Sequence, residues 1–254
     1  MIKFFRNIRQ KLLIEGKTGN YLKYAIGEIV LVVIGILIAL QVNNWNEQSK
    51  HLNQENVYLT KLKEDVQIMK ENLDEQLKWM PVQMLEAQKA LYYVQNCNEF
   101  SEGNEALKET LLTHSNMATF FIREGTYVEM LSNGTFSRIE NDSLKTMISN
   151  LYTRLHESND YVTYFRTELS RASTVIWEHM EQEFKPNIKL DIASQDQIIV
   201  KYDYSKICKS GSFKNALAEV YDSRQDVYNM SKFISDYLNR TIELLNDITY
   251  NLKT

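Results

Sequence analysis

The chain has 254 residues, a formal net charge of −4, two cysteines, two prolines and eight glycines. Six basic residues against Glu15 precede the apolar run described below, so the rest of the chain is near −9, which disfavours nucleic-acid binding, since that needs a basic stripe. Glycine and proline are too sparse and scattered to form a linker, which leaves about 210 residues beyond the N-terminal segments for one sizeable domain.

Residues 1–20 read as a basic amphipathic leader. Ile2, Phe5, Ile8, Leu12 and Leu13 recur at helical spacing, and Lys3, Arg6, Arg9 and Lys11 fill the remaining faces, the pattern of a short helix lying on an anionic cytoplasmic leaflet. Gly16 and Gly19 end it. Residues 21–44 read as a transmembrane helix: every residue from Ile29 to Leu40 is apolar or small, and the run extends to Tyr21 and Val42 with Glu28 as its one acidic residue. That is about 22 residues, or about 33 Å of helix, close to the thickness of the hydrocarbon layer. Tyr21, Tyr24 and Trp45 flank it as interface anchors. Gln41-Val42-Asn43-Asn44 has no small-x-small cleavage pattern, which favours a retained anchor over a signal peptide. The basic excess before the span, against only Lys50 and Lys61 just after it, predicts a cytoplasmic N-terminus and an exported remainder, periplasmic in a bacterium with two membranes. Within the span, Gly35 and Ala39 form a small-xxx-small pair, with Gly27 and Glu28 about two turns earlier. Such a face lets helices approach closely and gives a buried polar group a partner, so a homo-oligomer or a membrane partner is expected there, with snorkelling of Glu28 as the alternative.

The stretches MIKFFRNIRQKLL and YLKYAIGEIVLVVIGILIALQVNNWNE, and to a lesser degree TYVEMLSNGTFSRIENDSLKTMISNLY (126–152), resemble an uncharacterised family of small bacterial single-span membrane proteins, a domain of unknown function. The resemblance supports the topology and implies no reaction, ligand or partner.

Residues 45–254 read as an exported helical bundle. Leu59, Leu62, Val66, Met69 and Leu73 follow three-four spacing, and Leu77, Met80, Met84, Ala87, Leu91 and Val94 resume it after a four-four step, with a kink expected at Trp79 to Pro81. Span and first bundle helix together predict a nearly continuous helix of about 75 residues ending near Cys97. A turn over 98–104 then leads, with Asn104 as cap, into a helix over 105–121. A short helix over 126–132 stops at Asn133-Gly134, and a tight connection reaches Asn141, which caps a helix predicted to run to Phe184. Its seam is Leu144, Ile148, Leu151, Leu155, Val162, Phe165, Leu169, Ala172, Ile176 and Met180, with Ser158 the polar slot. Residues 187–210 alternate and carry β-branched side chains, which predicts a small β-hairpin or ordered loop. A last helix over 213–252 carries Leu217, Val220, Val227, Ile234, Leu238, Ile242, Leu245, Ile248 and Leu252. The expected fold class is therefore all-α, an N-terminal transmembrane helix continuing into an elongated antiparallel bundle of about four helices.

No catalytic, cofactor or metal motif is present. His51, His114, His156 and His179 lack ligand spacing, and the acidic cluster around Glu178, Glu181 and Glu183 reads as a solvated face. Cys97 and Cys208 lack CxxC spacing and are a candidate disulfide pair in an oxidising compartment; the other reading is two small buried side chains. The fifteen tyrosines read mainly as ring faces completing the core. The expectation is a non-enzymatic bitopic membrane protein without cofactor, with membrane lipid and a homo-oligomer or a membrane or exported protein as partners, and no nucleic acid. Its bundle would mediate interaction or scaffolding. The alternative is a ligand-sensing bundle that signals through a membrane partner.

Overall fold

The computed structural model describes residues 18–97, 101–185 and 197–251. Helix α1 spans Thr18–Asn96, α2 Ser101–Thr113, α3 Gly125–Ser132, α4 Thr135–Arg138 and α5 Asp142–Trp177. Strands β1 (Met180–Lys185) and β2 (Gln197–Tyr202) pair antiparallel, with Met180 opposite Tyr202 and Lys185 opposite Gln197; α6 (Tyr204–Ile207) and α7 (Gly211–Asn251) follow. The chain is all-α with a small two-stranded sheet, and it divides into two compact units, residues 1–57 and 58–254.

In the described part of the first unit, α1 is apolar and bare. Ile29, Val30, Leu31, Val32, Val33, Ile34, Ile36, Leu37, Ile38 and Leu40 are all exposed, and Trp45 is 72% exposed. Among the described residues this is one helix long and apolar enough to cross a membrane, and none of that apolar window is buried within the protein. A fully exposed run of branched aliphatic side chains is unfavourable in water, by about 1.5–3 kcal/mol for each side chain that burial would shelter.

The second unit is built from three stacked levels of core. In the first, Leu59, Leu62, Val66, Met69 and Leu73 of α1 pack with Leu144, Ile148, Leu151 and Leu155 of α5 and with Ile234, Leu238 and Leu245 of α7. In the middle level Met80, Ala118, Val162 and Val227 meet. In the third, Ala90 and Val94 pack with Leu107 and Leu111 of α2, Leu169 and Ile176 of α5, and Phe213, Leu217 and Val220 of α7. Residue numbers rise through the levels along α1 and α5 and fall along α7. The segment from α2 to α4 falls as well, so the order is up-down-up-down.

The three-four seams are the reason these helices pack: each buries one stripe and leaves the opposite face to solvent. The nine seam positions that fall in α5, Leu144 to Ile176, are buried as spaced, Ser158 included, apart from a partly covered Phe165, and Met180 is buried at the start of β1. Asn141 caps α5, its side-chain oxygen accepting from the Leu144 N–H at 2.9 Å. Gly134, at φ +75°, supplies the left-handed residue that ends α3. Helix α1 continues through Pro81.

Three expectations are corrected. The second bundle helix starts at Ser101, inside the predicted turn, and stops at Thr113, not near 121; residues 116–124 form a strap that is neither helix nor strand. Asn104 lies within α2, where its side-chain oxygen accepts from the Tyr202 hydroxyl instead of capping. Helix α5 ends at Trp177, seven residues before Phe184, and the residues that follow become β1. The hairpin therefore pairs a strand ahead of the predicted segment with one inside it, Gln197–Tyr202, while 186–196 lie outside the described residues.

Candidate functional site

The strap has no helical hydrogen bonds of its own, so side chains from its neighbours satisfy it. Gln76 bridges Thr119 twice, its Nε2 donating to the Thr119 carbonyl at 2.8 Å and its Oε1 accepting from the Thr119 N–H at 2.9 Å. Asp65, only 7% exposed, accepts from Arg123 Nε at 2.8 Å and from the Thr126 hydroxyl at 2.5 Å. The Tyr152 hydroxyl donates to the Arg123 carbonyl at 2.9 Å, and burial, with Asp65 and Glu124 adding to it, holds that phenol well above its ordinary pKa. Tyr127 stacks flat on Tyr152, centroids 4.3 Å apart. His156 Nε2 meets Glu124 Oε2 at 2.8 Å in the open. These contacts position a loop, which marks a structural lock.

A different situation holds at the middle level, around Arg224 of α7. This residue is 7% exposed, and Val220, Arg224 and Val227 stand at core spacing. Its Nη1 donates to the Gln83 carbonyl at 2.9 Å, and its Nη2 to the Thr113 carbonyl at 2.7 Å and the Thr113 hydroxyl at 2.9 Å. The guanidinium thus caps the exposed carbonyl end of α2, where a cation is favoured by the helix dipole. Among the described residues it forms no ion pair. Glu109, exposed and one turn before Thr113, only adds a favourable field, and burial brings the Arg224 pKa down to about 10. Its Nε–H has no partner, nor has the neighbouring Gln83 Oε1. Arg224 and Gln83 line a small pocket together with Trp79, Met80, Asn116, Met117, Ala118 and Val227. Its free volume, about 10 Å³, is room for one water-sized occupant. Close by, His114 is 3% exposed; its Nδ1 meets the Leu111 carbonyl at 2.6 Å, its Nε2 is unpartnered, and burial lowers its pKa.

The residues singled out by sequence lie elsewhere. Gly27 and Gly35 are on the bare part of α1 with open space around them, and Glu28 and Ala39 share that helix. Tyr21 and Tyr24 are helical, though their side chains, like Lys3, Arg6, Arg9 and Lys11, lie outside the described residues. Cys97 and Cys208 are joined in a disulfide, Cα atoms 5.3 Å apart, tying the end of α1 to the end of α6 across 111 residues. Glu178, Glu181, Lys201, Asp203 and Lys206 of mixed sign surround a groove beside the hairpin, where His179 Nε2 meets the Ser210 hydroxyl at 3.0 Å. That hydroxyl also accepts from the Phe213 N–H at 3.2 Å, as a cap of α7 does. No group of three or more metal-ligating side chains occurs among the described residues. Arg224 and Asp65 were missed by sequence reasoning. The signal for Arg224 was the seven-residue gap between Val220 and Val227 in an otherwise regular seam.

Fold and site define a helical-bundle protein with, among the described residues, one exposed helix of membrane-crossing length. The chain belongs to the family of unknown function (DUF6090), which matches residues 28–198. The match includes most of the bundle, with 126–152 inside it, and leaves the basic leader, MIKFFRNIRQKLL included, outside. No curated protein and no solved structure matches the chain.

Proposed function

We propose that this is a non-enzymatic, bitopic membrane protein, its N-terminus cytoplasmic and its bundle exported, whose bundle serves protein interaction or scaffolding. In a bacterium this places it in the inner membrane with the bundle in the periplasm. The observation that carries the reading is the run Ile29–Leu40, wholly exposed on a helix whose other apolar stripe, from Leu59 onward, is buried. Water would oppose that exposure; hydrocarbon would not. The basic residues Lys3, Arg6, Arg9 and Lys11 give the orientation and would rest on anionic lipid. Gly27, Glu28, Gly35 and Ala39 would carry self-association or contact with a membrane partner.

The experiment is protease protection in spheroplasts with an epitope at each terminus. The reading expects the C-terminal epitope to be lost to added protease, the N-terminal one to survive on a short fragment, and that fragment to resist carbonate extraction. Survival of both epitopes, or release by carbonate, would overturn it. For the association, in-membrane crosslinking should drop with Gly35→Leu and Glu28→Ala.

A further inference from the structure

We propose that His114 makes the junction between α2 and the strap a pH-sensitive catch: in mildly acidic surroundings residues 114–118 lift off the middle core level while α1, α5 and α7 stay packed. This goes beyond the proposed function and does not depend on membrane insertion.

Three observations carry it. First, the ring has no place for a second proton. His114 is 3% exposed, and its Nδ1 lies 2.6 Å from the Leu111 carbonyl, which makes Nδ1 the protonated nitrogen of the neutral ring. An imidazolium would bury an Nε2–H that has no acceptor, a costly arrangement. Second, the neighbours oppose the charge or are neutral to it. From α7 comes Arg224, from α5 the Trp177 ring, edge-on with centroids 5.5 Å apart, and from α1 the uncharged Gln83, whose carbonyl holds Arg224. Glu109, on α2 itself, bears on Arg224. Burial first, and the guanidinium after it, hold the ring neutral against the pull of the Leu111 carbonyl. Third, the segment that must yield is lightly held. The Thr113 carbonyl accepts from the Asn116 N–H at 2.8 Å and from Arg224 at 2.7 Å, and Gln76 holds Thr119 beyond. Met117 and Ala118 pack against Met80, Val162 and Val227, so lifting the segment uncovers an apolar surface without parting the long helices.

The test is hydrogen exchange of the full-length protein in detergent, read by mass spectrometry at pH 7.5 and 5.5 and corrected for the intrinsic rate at each pH. A ring that titrates near 6.5 once released, and lower while closed, raises the opening constant by up to about tenfold over that interval. The expected result is a rise of about three- to tenfold in corrected exchange over residues 111–120. That exchange should scarcely change in about 1 M urea, because a local opening exposes little surface, whereas whole-bundle unfolding would speed it about tenfold or more. In His114→Gln the ratio between the two pH values should fall to one; since the ratio is the readout, a variant that opens more readily still reports. His156→Gln removes the exposed ring beside Glu124 and should leave the response intact. A pH-independent rate in the unaltered protein would overturn the proposal. So would a response that survives His114→Gln, or exchange over 111–120 that follows urea as steeply as the core amides of α5 and α7, which would make the pH effect one of whole-bundle stability.

Discussion

Asp65 and His114 are two buried polar side chains with opposite consequences. Asp65 gathers Arg123 and Thr126, so its removal strands two donors and loosens the strap; Asp65→Ala is expected to cost about 2–3 kcal/mol, read as a lower midpoint in urea unfolding at an unchanged slope. His114 is buried with its folded pKa below the ordinary 6.5. The unfolded chain therefore takes up a proton first as pH falls. Stability contributed by the neutral ring is complete above the unfolded pKa and declines as pH drops from there towards the folded one. Unfolding followed between pH 7.5 and 5.5 should show that decline, and His114→Gln should flatten it. Neither residue was legible in the sequence as part of a site. Periodicity reports which side of a helix faces inward and says nothing of what an off-seam carboxylate such as Asp65 will meet. Arg224 is different, because it stands on the seam itself: a charge between Val220 and Val227 could have been read as buried.

The elements that were read correctly carry a sustained helical period, and the misreadings fall at the strap and at the end of α5. In the strap, Ala118, Phe120, Ile122 and Glu124 are more buried than Thr119, Phe121 and Arg123 between them, a period of two hidden in a stretch dense enough in apolar residues to pass for helix. At the end of α5, Met180 falls four residues after Ile176 and is buried like it, so the helical pattern runs on past the true end, and Pro186 was the first stop signal available. Where a single residue sets the backbone, the consequences are sharper. Gly134→Ala, at φ +75°, should cost about 1–2 kcal/mol in unfolding because a Cβ is strained in the left-handed region. Cys97 adopts the same region, φ 48°, without being glycine, where the chain leaves α1, and its bond to Cys208 closes a 111-residue loop. Replacing both cysteines by serine is expected to lower stability by about 2–4 kcal/mol, and a reductant should lower the wild-type midpoint while leaving the double variant unmoved.

At the scale of the molecule, the up-down-up-down order is completed by a descending element that is no single helix: it is assembled from α2, the strap and α3, which contribute Leu107 and Leu111, Ala118, and Met130 to successive core levels. Every core level of residues 58–254 is drawn from that unit, and no described residue before Tyr58 enters any of them. Backbone helix nonetheless runs from Thr18 to Asn96 across the boundary. These two facts separate folding from attachment. A flexible Gly-Ser segment inserted after Trp45 interrupts α1 where its side chains are bare, and it removes no core contact, so the unfolding midpoint of the bundle should stay within about 1 °C of the uninterrupted protein. A large drop would mean that the bundle draws stability from the preceding helix. If the midpoint holds and in-membrane crosslinking through Gly35 also persists, the apolar helix acts as a tether. Loss of crosslinking with an intact bundle would instead show that an unbroken α1 is required to align the associating faces.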